Sequence, residues 1–290
     1  KLDTSNVPSI KEARLVHING KAKLVKDMGK YDDNYTSPYQ IKLNDIPIVQ
    51  AKIPECSTCC SVLATGYGIE NSNCDELMEI QKEINTDFIS LENSIKAMEP
   101  LLKLFETGFY LIAEAECYPT DGNGNFFWNV PNDLVLNPAT AMKCLRDDDF
   151  TYIGRQPVYL YPTQTTDAYN SERVDYYIEK LKKMSDNEPR AIVYNCGEFI
   201  NFIIDGHHKA CAAALLGKPL KCLLIIKGEY SQNYGEDNQI YLKFLNSEIK
   251  KEDIPIKYQP FLKEKKKNWG SIIINEGTVN KRQWEDKYIN

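Results

Sequence analysis

The segment Phe202-Ile-Ile-Asp-Gly-His-His-Lys-Ala210 constrains this chain more than any other. An apolar strand ends at Ile204, an acidic turn follows at Asp205-Gly206, and His207, His208 and Lys209 open a helix that runs over Ala210–Leu216 to Gly217. A helix start presents backbone N–H groups without intrahelical acceptors and a partial positive charge, so anions, phosphates above all, are stabilised there. Two imidazoles and an ammonium at the same point add side-chain donors. Gly206 lets the backbone turn tightly and approach a ligand closely. The plainer alternative makes Asp205 a helix cap and the two histidines ordinary surface groups.

The neighbouring sequence has a readable order. Pro157–Leu160 reads as a short strand, followed by a loop over Tyr161–Asn170. Ser171–Met184 is an amphipathic helix, with Val174, Tyr177, Ile178 and Leu181 on one face, acids early and lysines late. Ala191–Asn195 and Phe199–Ile204 form a hairpin around Cys196-Gly197-Glu198, and Leu220–Ile226 is a closing strand. Strand, helix, hairpin, helix and strand together predict a compact α+β unit.

Length and charge bound the rest. The 290 residues suffice for two ordinary domains, read here as an N-terminal α+β unit over 1–150, a second unit over 151–227 and an extension over 228–290 packed on the core. A net charge of −6 weighs against nucleic acid as a partner, because phosphate contacts need a basic surface. Nine cysteines, an odd number with several in apolar segments, favour a reducing cytoplasm over a disulfide framework. No apolar run approaches membrane-spanning length and no leader is seen, so the chain reads as soluble, with no membrane partner.

In the N-terminal part, Ala13–His17 and Ala22–Val25 flank Asn19-Gly20 and predict a hairpin. A polar loop through Tyr31–Tyr39, a strand near Ile46–Ala51 and a helix over Cys74–Ile84 follow. Ser90–Phe105 is a second helix bent at Pro100, and Phe109–Ala115 is a strand. Tyr118–Trp128 reads as a hairpin about Asp121-Gly-Asn-Gly-Asn125, either a lid or a tight turn with packed aromatics. A helix is expected over Ile240–Lys250, and the Lys263–Lys267 run reads as a solvated face.

The strand–helix–hairpin–Asp205-Gly-His-His-Lys209–helix–strand order resembles the ParB/sulfiredoxin superfamily over about residues 156–226. Pro157-Val-Tyr-Leu160, Ser171-Glu-Arg-Val174, Arg190-Ala-Ile-Val193 and Leu215-Leu-Gly217 carry the resemblance beside the turn itself. It implies a phosphate-binding turn before the second helix. Sulfiredoxins carry a catalytic Cys where this chain has His207, and partition proteins usually have Gly-Glu-Arg-Arg at this turn. The turn is most similar to the DGHHR form of free-serine kinases, with Lys209 in place of Arg. Those kinases place a Glu in the loop after the first strand; here Asp167 is the only carboxylate inside that loop.

Phosphoryl transfer needs a phosphate cradle, positive charge, and a base or orienting group at the acceptor hydroxyl. On this reading Gly206, His207, His208 and Lys209 form the cradle, with His208 donating to a phosphate oxygen and Lys209 neutralising charge. Asp205 binds Mg²⁺ or orients an imidazole, Asp167 or Glu172 is the base, and Ser171 and Arg173 at the next helix start hold a second phosphate. The expected ligand is a nucleotide, ATP or ADP with Mg²⁺, and the expected activity is phosphotransfer to a small hydroxyl-bearing metabolite. A non-catalytic nucleotide- or protein-binding module is the alternative, and a DNA-binding or nuclease role is the third.

Adjacent helix residues point about 100° apart, so His207 and His208 do not share one metal ion. Cys56, Cys59, Cys60 and Cys74 contain one C-x-x-C, half a zinc ribbon, with packing cysteines as the default reading. Leu63–Gly68 is glycine-rich without the phosphate-loop Lys, and Asp121–Asn125 lacks the later ligands of a calcium loop.

Overall fold

The computed structural model describes residues 10–28, 36–54, 63–66, 69, 75–119, 141–143, 150–152, 159–164, 169–183, 186–197, 200–232, 240–244, 247–253 and 256. Asp167 with Thr165 and Thr166, Cys56, Cys59, Cys60, Cys74, the Asp121–Trp128 segment and the Lys263–Lys267 run lie outside the described residues.

The strands are β1 (Ile10–Ile18), β2 (Leu24–Met28), β3 (Thr36–Leu43), β4 (Ile46–Pro54), β5 (Leu63–Gly66), β6 (Gly108–Pro119), β7 (Ala141–Lys143) and β8 (Phe150–Tyr152). They continue with β9 (Tyr159–Tyr161), β10 (Ala191–Gly197), β11 (Ile200–Asp205), β12 (Leu220–Lys227), β13 (Glu229–Gln232), β14 (Ile240–Phe244) and β15 (Ser247–Lys250). The helices are α1 (Asp75–Ile84), α2 (Leu91–Ala97), α3 (Glu99–Leu102), α4 (Ser171–Lys182) and α5 (His207–Leu215). The class is α+β, as the sequence predicts.

A six-stranded sheet, ordered β1-β6-β12-β10-β11-β9, forms the centre. It closes on itself: β6 pairs with β1 along Gly108–Ala115, and beyond that point its Tyr118–Pro119 end pairs with β9. Helix α4 carries the chain from β9 across β11 to β10, and α5 carries it from β11 across β10 to β12. Alternate residues of each central strand face opposite cores, and both faces are covered. Leu223, Ile225, Ile192, Tyr194, Phe202 and Ile204 meet α1–α3 and β2–β4. Cys222, Leu224, Ala191, Val193 and Ile203 meet α4 and α5. Double burial explains why Leu220–Lys227 reads as a nearly continuous apolar run rather than an alternating one.

Because β1 and β6 belong to this sheet, its ladders run across residue 150. Strands β2–β5 make a separate four-stranded sheet. Its β3–β4 hairpin turns at Asn44-Asp45, both with positive φ (49° and 64°), the backbone of a two-residue type I′ turn.

Four sequence expectations are corrected. β1 and β2 do not pair: β1 lies on β6 and β2 on β3. The Asn19-Gly20 segment docks instead on the connection before β6, with Lys21, Ala22, Lys23 and Leu24 N–H groups bonded to the carbonyls of Lys103–Phe105. A Cβ on Gly20 would lie 1.9 Å from the Phe105 carbonyl oxygen, so the glycine serves close approach rather than a hairpin turn. Residues 36–39 of the expected polar loop belong to β3. Residues 240–250 are the strands β14 and β15, not a helix. Ile240, Leu242 and Phe244 recur with period two, and Phe244 buries its ring against Gly228. The Ser90–Phe105 helix breaks into α2 and α3 at Met98, with Ser90 capping α2 and Pro100 in the first turn of α3.

Among the described residues no helix is long and apolar enough to cross a membrane.

Candidate functional site

The Asp205–Lys209 turn lies where β11 ends and α5 begins. Gly206 is the N-cap of α5, with φ at +103°, and a Cβ there would meet Ala191 Cβ at 2.8 Å. Only glycine satisfies both the left-handed backbone and the contact. Asp205 therefore does not occupy the N-cap, and the N-cap residue, a glycine, offers no side-chain cap. The first N–H groups of α5 are left to whatever occupies the adjoining space.

That space is a cavity of about 480 Å³. The turn and Gln164 form one wall, Arg173 and Tyr177 of α4 a second, and Leu77, Met78, Gln81 and Lys82 of α1 a third, with Ile69 and Asn85 completing it. Helix α1 is fastened to the sheet by Gln81, whose Nε2 donates to the Ile204 carbonyl at 2.7 Å. Asn85 Nδ2 donates to the Tyr177 hydroxyl at 3.3 Å.

The two histidines work differently from expectation. His207 is buried, and its Nε2 accepts the backbone N–H groups of Thr163 and Gln164, both at 3.2 Å. The Thr163 hydroxyl lies 3.0 Å from the same nitrogen, but it also sits 2.6 Å from the Ile203 carbonyl, which can only accept, so its proton goes there. With two backbone N–H groups aimed at it, Nε2 carries a lone pair and Nδ1 the proton. Burial, reinforced by neighbouring His208, pushes the His207 pKa down to about 3, so the ring is neutral. Its Nε2 therefore does not donate to a phosphate but fastens the start of the β9–α4 connection.

His208 fastens the other end. Its Nε2 accepts the backbone N–H of Asn170 at 3.0 Å, and its ring lies 5.7 Å from that of Tyr169. Asn170 is the N-cap of α4, its side chain accepting from Arg173 N. Partial burial and then the Arg173 charge lower the His208 pKa, with Asp205 opposing. Nε2 is thus an acceptor within the protein, and only Nδ1 is left to donate to a ligand.

Lys209 is also more enclosed than expected. Its side chain is 3% exposed, Nζ donates to the Arg190 carbonyl at 3.1 Å, and it lies 3.6 Å from Asp205 Oδ2. The Tyr177 ring centroid is 5.8 Å away. Asp205, Gly206, His207, His208, Lys209 and Arg173 therefore come together around one cavity. Ser171 and Glu172 are exposed on the first turn of α4 and are not among the lining residues. Among the described residues no three metal-ligating side chains meet.

The α1 wall was missed by sequence reasoning. The available signal was weak: Leu77, Gln81 and Asn85 recur at four-residue spacing, which marks one helix face without saying what it meets. Comparisons with family models, curated proteins and solved structures return no match for this chain.

Proposed function

We propose that this chain is a ParB/sulfiredoxin-like protein that binds a nucleoside phosphate in the cavity at the start of α5. The observation that carries the reading is convergence. An N-terminus without a side-chain cap, three cations (Lys82, Arg173, Lys209) and an apolar flank (Ile69, Leu77, Met78) line one space of ligand size. Phosphates belong against the N–H groups and cations, and a base against the apolar flank. A Mg²⁺ ion accompanying the phosphates would find one carboxylate among the described lining residues, Asp205, a usual protein share for a phosphate-bound magnesium.

Binding without turnover is favoured over phosphotransfer by the same geometry. Among the described residues Asp205 is the single carboxylate lining the cavity, and it is already beside the Lys209 ammonium, so it is poorly suited to accept a hydroxyl proton. Phosphotransfer to a small hydroxyl compound is the second reading and rests on Asp167 as base.

Calorimetric titration with ATP, ADP and CTP, with and without Mg²⁺, tests the proposal. Wild type is expected to bind at least one of them, and His208→Ala, which removes a cavity-lining ring and frees the Asn170 N–H, to lose about tenfold in affinity. No binding at millimolar nucleotide overturns the reading. Nucleotide hydrolysis or transfer by wild type, lost in Asp167→Asn, would establish phosphotransfer instead.

A further inference from the structure

We infer that Lys82 of α1 and Arg173 of α4 form a two-cation clamp that selects ligands with two or more linked phosphates over monophosphates; this rests on the nucleoside-phosphate reading above. Of the three cations at the cavity, Lys209 is already committed to Asp205 and the Arg190 carbonyl. Lys82 and Arg173 are exposed, line the same cavity, and have no carboxylate within ion-pair distance among the described residues. Other helix lysines have carboxylate partners, Lys96 with Glu92, Lys103 with Glu99 and Lys182 with Glu179, whereas Lys180 lies over the Tyr176 ring. Two unpaired cations at one opening hold a site of positive potential that a single phosphate at the α5 start does not fill.

The positions of the two residues follow from the tether between their helices. Asn85 at the end of α1 holds the Tyr177 hydroxyl of α4. Lys82 lies three residues before Asn85 and Arg173 four before Tyr177, so each cation sits about one turn from the tether on the same helix face. The clamp thus has one arm on each of two tethered segments, and α1 supplies a ligand-reading residue from outside the 156–226 segment.

The His208 ring lies beside this clamp and gives a second readout. The groups facing it are Arg173 from α4, Asp205 from β11, the Tyr169 ring, the Asn170 N–H and its neighbour His207. A bound phosphate chain neutralises Arg173 and adds negative charge, so the His208 pKa rises on binding.

The test is calorimetric titration of AMP, ADP, ATP and pyrophosphate against wild type, Lys82→Gln, Arg173→Gln and Lys82→Arg, with NMR titration of His208 in the presence of AMP or ADP. Wild type is expected to bind ADP at least about tenfold more tightly than AMP. That ratio should fall toward one in either Gln variant and return in Lys82→Arg, and ADP should raise the His208 pKa more than AMP does. Both side chains are exposed, so the variants should keep the wild-type melting temperature. Equal AMP and ADP affinity in wild type, or Gln variants that weaken both ligands alike, overturns the clamp while leaving nucleotide binding intact. Failure of every nucleotide to bind wild type overturns the clamp together with the reading beneath it.

Discussion

The two faces of the central sheet are packed in opposite styles. Against α1–α3 and the small sheet, the contact is made by large side chains: Phe105, Tyr110, Tyr194 and Phe202 are almost fully buried, and the Phe105 ring meets both tyrosines edge-on. Against α4 and α5 small side chains enter the contact, Ala113, Ala115 and Ala191 from the sheet and Ala210, Ala212 and Ala213 from α5, between larger ones such as Ile203, Leu224, Val174 and Tyr177. Small residues let a helix lie close to strands, and close packing leaves little freedom to shift. The aromatic face supplies buried area; the alanine face supplies position. The candidate site is built at the end of the element that the alanine face positions.

Three changes would break or sharpen that contrast. Phe105→Ala should be the most damaging, removing about 3–5 kcal/mol of stability in urea unfolding, as large-to-small changes in well-packed cores do. A loss under about 1 kcal/mol would mean that the aromatic face collapses around the cavity and is less specifically packed than described.

On the alanine face the sensitive change is an addition. Gly206→Ala brings a methyl to 2.8 Å from Ala191 Cβ at a φ of +103°, and should lower stability by about 1–3 kcal/mol. Wild-type stability in that variant, measured by the same urea transitions, would refute the close approach of α5 to β10.

The third effect is read per pH unit. The folded-state pKa of His207 is about 3, below the ordinary 6.5, so between those values the unfolded chain binds a proton that the folded chain does not. Its contribution is complete above pH 6.5 and is lost as pH falls toward 3, at up to about 1.4 kcal/mol per pH unit. His207→Gln keeps an acceptor for the Thr163 and Gln164 N–H groups but does not titrate. Its stability profile from pH 6.5 down to pH 4 should be flatter by about one proton; an unchanged slope would show that His207 is not buried neutral.

Much of the 156–226 region was legible from sequence because its determinants are local. A glycine before a helix, Ala-rich helical spacing, and two apolar runs separated by a short break each specify their own stretch of chain. The same logic misled at Asn19-Gly20, where a turn-forming pair is used for docking on a segment more than eighty residues away. It also misled over residues 240–250, where a short polar and apolar mixture fits either period until Phe244 finds a partner in Gly228. At the site, sequence named the turn but not the work of its imidazoles. Which way a ring nitrogen points depends on the Thr163, Gln164 and Asn170 amides, and nothing in the His-His pair specifies them. The α1 wall was invisible for the same reason.

Strand β6 sits in mid-sheet, with β1 on one edge and β12 on the other. On the ribosome β1 is available at once, but β12 emerges about a hundred residues later, so a long apolar strand waits with one edge open while the chain grows. A gene cut at codon 150 would leave one product holding that strand without its partner and the other with β12 facing empty solvent. Strands β6 and β12 are therefore tied in synthesis and in inheritance: the segments that carry them cannot be shuffled apart without a new strand to replace the one left behind.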